Sequence, residues 1–348
     1  MTAGMLSNVA VPIVIVGFGN AADIVKCLTA VGGQRSCPGF AVFICENGGA
    51  RAFDALTEAL SGPDGPCVAE PGGADAGGPV FLRVRRFRLT GPDAPVFVGE
   101  ARENLGFPGG VNSWIRLFLN ERGWDGVWVL NPDTWPEPDA LAELVAYAEK
   151  RAKGMVQSRI MFADRSDITS SRGLAWRKLS ARLIGVDLFA PAFPPPDPDD
   201  LERRMDSTNG TSLYVTRACI DRVGLMDESY WLYWEDLDWG VRAKVACGIG
   251  YAHNSVVPHI GGTSSGASGK RAKRSVAFVY LGNRNKLRFV RKHHPGWFAW
   301  TVLVSFLRTS EYLAAGSTRN FGAAIRGLLA GLRDEKGRPE VSPNQAKI

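Results

Sequence analysis

Apolar runs and amphipathic stretches alternate along the first part of the chain. The runs from Val11 to Phe18 and from Phe40 to Cys45 have the length of strands, and each leads into a stretch with helical spacing, at 21–31 and 50–60. Runs that are apolar on both faces are typical of buried parallel strands. We therefore predict an α/β fold with a mostly parallel sheet and helices on both faces.

The hydrophobic pattern predicts further strands and helices, and two segments without a regular pattern lie between them. Residues 61–79 are rich in Gly and Pro and predict an exposed loop, and residues 162–207 carry little periodicity and predict a long irregular segment. The other predicted elements are strands at 80–89, 127–130, 212–215 and 250–258 and helices at 110–122, 138–150, 217–223 and up to 246, followed by helical residues at 275–332.

Composition places the chain among ordinary soluble proteins. It has 348 residues, of which 45% are hydrophobic and 22% charged, enough for a large buried core. The six cysteines show no CxxC spacing, which favours a reduced, cytoplasmic protein. We expect no signal peptide, because no basic residue precedes Lys26, and no spanning helix, because the apolar run 297–307 is too short.

The excess positive charge is concentrated in one segment. Residues 270–292 contain nine Lys or Arg and no acid, which outweighs the formal net charge of +6. A cationic stretch next to the aromatic, amphipathic run from Trp297 predicts contact with an anionic membrane surface. A solvated helical face with ordinary core or dimer contacts is an equally good alternative. Nucleic acid is not expected as a partner, because stacking aromatics are not interleaved with the basic residues.

Two acidic signatures offer the most informative chemistry. Asn131-Pro132-Asp133 follows the apolar run 127–130, and Trp234-Glu235-Asp236-Leu237-Asp238 opens a predicted helix. A carboxylate at the end of a buried strand can hold a hard cation beside a phosphate, although turn chemistry before a helix is the alternative for Asp133. A carboxylate in the first turn of a helix is favoured in its ionised form and can act as a base, or merely cap the helix.

The three acids of the second signature should have different roles. Asp238 and Arg242 are four residues apart and can pair along one helical face. Asp238 is therefore predicted to be structural, which leaves Glu235 and Asp236 as candidates for a general base.

Glycine-rich turns suggest two further sites. Gly17-Phe18-Gly19-Asn20-Ala21-Ala22 matches the GxGxxA dinucleotide fingerprint, with Glu46 at the end of the next strand, but this hypothesis leaves both acidic signatures unexplained. The segment 104–112 runs into a helix and suits a phosphate or sugar hydroxyls, or is a simple turn. His259 precedes a polar loop and is a ligand only if a metal lies nearby.

Taken together, these motifs resemble the family 2 glycosyltransferases, inverting enzymes of the GT-A fold, and within them the bacterial rhamnosyltransferase-like branch. The resemblance runs from about Val11 to about Arg291. The matching elements are Val14-Ile15-Val16 with Asn20, Glu46-Asn47-Gly48, Asn104-Leu105-Gly106-Phe107 with Gly110 and Asn112, Leu130-Asn131-Pro132-Asp133, Val223 to Glu228, Tyr233 to Asp238 with Arg242, His259 with Ser264, and Arg284-Asn285.

The resemblance implies roles for particular residues. Asp133 would bind Mg²⁺ or Mn²⁺ with the donor diphosphate, His259 would complete this site, and Asp236, with Glu235 beside it, would deprotonate the acceptor. Asn131 replaces the first aspartate of the family's DxD signature, which leaves a thinner metal shell. The implied donor and nucleotide site consists of Val16, Phe18, Asn20, Glu46, Asn104, Gly110, Asn112, Asn131, Asp133 and Arg284.

The implied organisation is a GT-A catalytic domain at 1–265 and a C-terminal helical region at 266–348, for which membrane contact and dimer formation are both open. The implied reaction moves a sugar, with L-rhamnose as the first expectation, from dTDP-rhamnose or a UDP-sugar to a hydroxyl of a glycan or lipid-linked acceptor in surface polysaccharide synthesis. We expect the enzyme in the cytoplasm or at the inner face of the cell membrane. The alternatives are an NAD-dependent oxidoreductase that uses the Gly17-Gly19 turn and a non-catalytic sugar-nucleotide-binding protein.

Overall fold

A computed structural model of the protein describes residues 5–71, 75–76, 78–260 and 271–339. Within these ranges the strands are β1 (Val11–Gly17), β2 (Phe40–Glu46), β3 (Cys67–Ala69), β4 (Asp75–Ala76), β5 (Phe81–Leu89), β6 (Ala94–Ala101), β7 (Gly126–Leu130), β8 (Met155–Phe162), β9 (Arg165–Thr169), β10 (Leu174–Arg177), β11 (Arg182–Gly185), β12 (Ser212–Thr216) and β13 (Ile249–His259). The helices are α1 (Ala21–Gly32), α2 (Ala50–Ser61), α3 (Gly106–Phe118), α4 (Ala140–Arg151), α5 (Pro198–Arg204), α6 (Arg217–Val223), α7 (Glu235–Ala246), α8 (Val276–His293), α9 (Phe298–Ala314) and α10 (Thr318–Leu332).

One large mixed sheet organises the described chain. Its strand order is β13-β8-β12-β7-β1-β2-β6-β5-β3, with β4 paired to β5 and β9 paired to β8, while β10 and β11 form a separate hairpin. Strands β7, β1, β2 and β6 are parallel, whereas β12 runs antiparallel between β7 and β8. The predicted α/β fold, with a mostly parallel central sheet and a helical C-terminal region, is confirmed.

Burial explains why these segments form the sheet. Every residue of β2 and β7 is buried, and apolar clusters cover both faces of the sheet, so that α3 packs on one face and α1, α2 and α4 on the other. A third cluster joins Trp176 of the hairpin, Trp234 and Phe289 of α8, with ring centroids 5.5–6.0 Å apart. This cluster attaches the C-terminal helices to the start of α7.

Several sequence predictions were wrong in detail. Segment 61–79 contains β3 and β4, which pair with β5, and segment 162–207 contains β9, β10, β11 and α5, so neither is simply irregular. Helix α3 begins at Gly106 rather than at 110 and ends at Phe118. Residues 275–332 form three helices, interrupted at 294–297 and 315–317.

Outside those two segments, strands β6 and β8 were also not predicted. Strand β8 contains the buried polar residues Gln157 and Ser158, which break the apolar pattern that marks an interior strand. The structure satisfies them by tertiary contacts: the Ser158 hydroxyl lies 2.7 Å from that of Ser212 and 2.8 Å from that of Ser255. Because these partners are distant in sequence, no local pattern indicates the strand.

Two further features bear on the predictions. All six cysteines are free, and none of the helices within the described ranges is long and apolar enough to cross a membrane. The predicted domain boundary at 265/266 and Ser264 lie outside the described residues.

Candidate active site

A cavity of about 290 Å³ opens where β1, β2 and β7 end. Ligands of open α/β sheets bind beyond the carboxyl ends of the strands, which is where this cavity lies. We call it the donor cavity. Six of the predicted donor residues line it together: Val16, Phe18, Asn20, Asn104, Asn131 and Asp133. Its wall also includes Asn47, Trp231 and Leu232, which were not predicted as site residues.

Asp133 and His259 meet at the border of this cavity. The Nε2 atom of His259 lies 3.2 Å from Oδ1 of Asp133, which is 3% exposed. The Ile260 backbone N–H donates to the Asp133 carbonyl at 3.2 Å, which fixes the end of β13 beside the end of β7. Helix α4 begins only at Ala140 after Asp139, so the Asp133 carboxylate does not cap it.

Asp133 and His259 supply few ligands for a metal ion, but they fit a site in which substrate phosphates supply the others. Among the described residues, no group of three or more His, Cys, Asp or Glu side chains is arranged to hold a metal ion. Mg²⁺ and related hard cations commonly take one or two carboxylates and complete their shell with substrate phosphates and water. Asp133 and His259 therefore suit a cation that is bound jointly with a diphosphate.

Glu46 was predicted to be a donor residue, but it does not line the donor cavity. It is fully buried, and its carboxylate accepts hydrogen bonds from the backbone N–H of Gly19 (3.0 Å) and of Gly48 (2.7 Å). Burial raises the pKa of Glu46, against these two hydrogen bonds, which lower it. Its carboxylate thus ties together two turns beside the cavity. Both hydrogen bonds go to Oε1, whereas Oε2 is buried without a hydrogen-bond partner among the described residues.

Asn112 and Gly110 also have positions that differ from the prediction. Asn112 is fully buried, and its Nδ2 donates to the Met226 carbonyl at 2.9 Å and to the Glu228 carboxylate at 2.7 Å. A Cβ at Gly110 would lie 2.8 Å from the Val16 side chain, so glycine allows α3 to approach β1. Both residues position α3 and neither lines the donor cavity.

Arg284 is likewise not placed with the donor residues. Its side chain is 1% exposed, and it donates to the Tyr230 carbonyl and to Oδ1 of Asn285, both at 3.0 Å. Burial lowers the pKa of Arg284. The predicted contact with the donor diphosphate is therefore not supported, because the guanidinium is enclosed beneath the segment that precedes α7.

That segment, residues 230–236, will be called the acidic loop. Trp231, Tyr233 and Trp234 have positive φ values of 63°, 67° and 76°. Each left-handed non-glycine residue costs about 1 kcal/mol or more, so the surrounding structure must hold this conformation. Such strain is concentrated at functional sites and points to the loop as part of the active site.

Two contacts hold the acidic loop. The Nδ2 group of Asn285 donates to the carbonyls of Tyr230, Leu232 and Tyr233 at 2.8–3.0 Å. The Phe107 N–H donates to the Trp231 carbonyl at 2.9 Å. This close approach requires the glycine before it, because Gly106 has φ +70° and a Cβ there would lie 2.1 Å from the Trp231 oxygen.

The loop delivers two acids with different surroundings. Asp236 is half-buried, and its carboxylate accepts hydrogen bonds from the N–H of Leu237 (2.8 Å) and of Gly210 (3.3 Å). Glu235 is 5% exposed, and its Oε2 has no hydrogen-bond partner among the described residues.

Burial, with the charge of Asp236 beside it, raises the pKa of Glu235 well above its usual range. Burial also raises the pKa of Asp236, but its two backbone donors favour the charged form. Of the two carboxyl groups, Asp236 is therefore the one whose charged form is better stabilised.

Asp238 has the structural role that the spacing predicted. It is fully buried, and Oδ2 accepts from Nε of Arg242 at 2.9 Å. Lys292 and His293 of α8 approach Oδ1 at 2.7 Å. Although burial alone would raise it, hydrogen bonds from His293 and Lys292 hold the pKa of Asp238 well below its usual range.

A second cavity, of about 410 Å³, lies on the other side of the acidic loop and will be called the acceptor cavity. Trp231 and Leu232 line the donor cavity, whereas the segment from Tyr233 to Asp236 lines the acceptor cavity. Its remaining wall comes from the β10–β11 hairpin, the residues just before α8, α8 itself and α9. This wall is rich in basic side chains, which were not predicted as site residues.

The chain is similar to two curated glycosyltransferases, although no protein-family model matches it. The low-salt glycan biosynthesis hexosyltransferase Agl10 of Haloferax volcanii is 24% identical over 245 residues, which are 68% of this chain and 76% of that protein. The N-acetylglucosaminyl-diphospho-decaprenol L-rhamnosyltransferase of Mycobacterium tuberculosis is 26% identical over 242 residues, which are 62% of this chain and 75% of that protein.

Solved structures share the fold. GalNAc-T7 with UDP, GalNAc and Mn²⁺ gives a TM-score of 0.55 at 12% identity, over 94% of this chain and 55% of that chain. Residues 1–349 of S. aureus TarS with UDP-GlcNAc give 0.52 at 12% identity, over 93% and 81%. The predicted GT-A fold and the resemblance to glycosyltransferases are confirmed.

Proposed function

We propose that this chain, a glycosyltransferase of the GT-A fold, moves a hexose with inversion from a nucleoside diphosphate to an acceptor hydroxyl in surface polysaccharide synthesis. L-rhamnose is the first candidate, because one of the relatives is named as an L-rhamnosyltransferase. The acceptor is a glycan or a lipid-linked glycan. The observation that carries the proposal is the acidic loop, which offers Asp236 to one cavity while its other end borders the cavity of Asp133.

The donor cavity would bind the nucleotide sugar. Phe18 is half-exposed at its rim and can pack against a base, while Asn20 and Asn104 offer polar groups to ribose or phosphate. Asp133 and His259 would hold Mg²⁺ or Mn²⁺ with the diphosphate. A bound metal of this kind neutralises charge that develops on a leaving diphosphate.

Asp236 would act as the base on the acceptor. It takes the proton of the acceptor hydroxyl while that oxygen bonds to the anomeric carbon and the bond from this carbon to the diphosphate breaks. One displacement of this kind inverts the anomeric centre. Protonation of Glu235 would leave the negative charge on Asp236, where the hydroxyl would arrive.

Ligand-dependent stabilisation tests the donor class. In a thermal-shift panel with Mn²⁺, we expect dTDP-rhamnose or a UDP-sugar to raise the melting temperature and NAD(H) to leave it unchanged. Asp133→Asn should weaken the Kd of the active nucleotide by about tenfold or more and abolish the effect of Mn²⁺, because the variant loses a charged ligand. Asp139→Asn, an exposed acid nearby, is the control and should bind like the wild type.

The opposite pattern would overturn the donor assignment. Stabilisation by NAD(H) alone would favour the oxidoreductase alternative, and unchanged nucleotide affinity in Asp133→Asn would remove Asp133 from the site.

We also propose peripheral contact with an anionic membrane, and the main support is an exposed apolar face of α9 rather than the basic segment. Trp300, Leu303 and Leu307 of α9 are 45–65% exposed and lie on one helical face. Several described members of the basic segment have other contacts. Arg288 and Arg291 pair with Asp334, Lys292 pairs with Asp227 and Asp238, Arg284 is buried, and Arg271, Arg274 and Lys286 line the acceptor cavity. The location at the inner face of the membrane stays a prediction.

Vesicle binding separates the membrane from a dimer. We expect Trp300→Ser combined with Leu303→Ser to reduce co-sedimentation with anionic vesicles at least severalfold, because apolar area is lost from the contact. Leu188→Ser, an equally exposed leucine outside α9, should bind as before. A concentration-dependent dimer that these α9 changes dissociate, with no vesicle binding, would assign the face to a second copy.

A further inference from the structure

The acceptor cavity has an unusual charge for a site that binds neutral sugars. Three acids line it, Glu235, Asp236 and Glu311. Five basic side chains line the same cavity: Arg182, Arg271, Arg274, Lys286 and Arg308. The cavity therefore carries a net positive charge around the base.

One carboxylate is shared among three of the arginines. Glu311 of α9 pairs with Arg182 of the hairpin at 3.2 Å, with Arg308 of its own helix at 2.9 Å, and with Arg271. A single carboxylate has one charge and two oxygens, so it cannot neutralise three guanidinium groups or use all of their donors. A group with more charge and more oxygens would bind this cluster better than Glu311 does.

Lys286 has no acidic partner. Its Nζ donates to the Ser305 hydroxyl at 3.2 Å and to Oδ1 of Asn283 at 3.3 Å, and no described carboxylate lies within 4.0 Å of it. Burial, with the charge of Arg308 nearby, lowers the pKa of Lys286 to about 8. An ammonium group kept in a cavity beside neutral partners is well placed to bind an anion that enters.

We propose that the acceptor cavity binds the phosphate or diphosphate of a phosphorylated acceptor, with this group on the basic wall and its sugar hydroxyl at Asp236. The inference rests on the proposed function and deepens it. The nucleotide diphosphate is proposed to bind beside Asp133, across the acidic loop, so a phosphate group on the basic wall would be a second one. A carboxylated sugar is less suited, because it offers no more charge than Glu311 already supplies.

Matched probes test the proposal by binding. Affinity is measured for an alkyl glycosyl diphosphate and for the alkyl glycoside of the same sugar and chain, with the donor cavity saturated by nucleoside diphosphate and Mn²⁺. We expect the diphosphate to bind about tenfold or more tightly than the glycoside. Lys286→Met and Arg308→Gln should each remove most of this preference without changing the affinity for the nucleotide or the glycoside.

Glu311→Gln should change the affinity for the diphosphate in the opposite direction. It releases the three arginines, so the diphosphate should bind severalfold more tightly, which a merely structural role of this glutamate would not produce. Arg203→Gln, an exposed arginine on α5, is the control and should match the wild type.

Equal affinity for diphosphate and glycoside, or unchanged affinities in Lys286→Met and Glu311→Gln, would overturn the inference and leave the proposed function standing. Failure of every nucleotide to bind would count against the proposed function, while the diphosphate arm would still report on the basic wall.

Discussion

Asp236→Asn should reduce sugar transfer by about 10²–10⁴-fold, the usual contribution of a general base, with nucleotide affinity unchanged. Asparagine keeps the size of the side chain and an oxygen for the Leu237 N–H, but its amide cannot take the acceptor proton. The measurement is kcat with saturating donor and acceptor, together with the donor Kd by calorimetry. In the wild type, the rate should fall as pH drops through the raised pKa of Asp236, because the base becomes protonated.

Glu235→Gln is the matched control for this result. Glutamine resembles the protonated glutamate, so this variant should keep most of the wild-type rate at neutral pH. If Glu235→Gln were inactive while Asp236→Asn retained transfer, the two carboxyl groups would have exchanged roles. An Asp236→Asn enzyme with undiminished kcat would remove general-base catalysis from the acidic loop altogether.

Asp238→Asn should destabilise the protein by about 1–3 kcal/mol, the usual cost of removing one partner from buried, charge-assisted hydrogen bonds. The substitution leaves Arg242 and Lys292 without the buried carboxylate that both contact. The measurement is the free energy of unfolding by urea at pH 7. Asp221→Asn removes an exposed pair with Arg217 on α6 and should change stability by less than about 1 kcal/mol.

The same carboxylate gives stability a pH dependence of known sign. Because the folded-state pKa of Asp238 is lowered, its contribution is present above its unfolded pKa of about 3.9 and is lost as pH falls below that value. The gap between wild type and Asp238→Asn should therefore narrow in acid. A gap that is the same at pH 7 and pH 3, or absent at both, would show that the buried cluster does not depend on this charge.

Local patterns predicted the parts of the site that depend on nearby residues. Asp133 follows a strand that is apolar at every position, and Asp238 and Arg242 have the spacing of a helical pair. Both patterns can be recognised in the sequence because each depends on the periodicity of a single element. Their partners on other elements, such as Lys292 and His293 for Asp238, could not be inferred from spacing.

The sequence did not show the tertiary contacts of three residues that it assigned to the donor site. Glu46, Asn112 and Arg284 have the polar side chains of binding residues, yet each is buried and bonded to backbone groups of other segments. In one sequence a buried polar residue that holds a loop cannot be distinguished from one that binds a ligand. The basic wall of the acceptor cavity was missed for a related reason: α9 brings Arg308 to it from outside the recognised motifs.

The hydrogen bonds from Asn285 to the acidic loop determine which truncated fragments can keep the geometry of this loop. The strained backbone before Asp236 is fixed by α8, which begins 41 residues after α7 starts and lies beyond the predicted end of the catalytic domain at residue 265. A fragment that ends before α8 would keep Asp133, Glu235 and Asp236 but lose the hydrogen bonds from Asn285 that hold the acidic loop. We expect such a truncation to relax the loop toward ordinary φ values, so that the geometry around Asp236 depends on α8 as well as on the sheet.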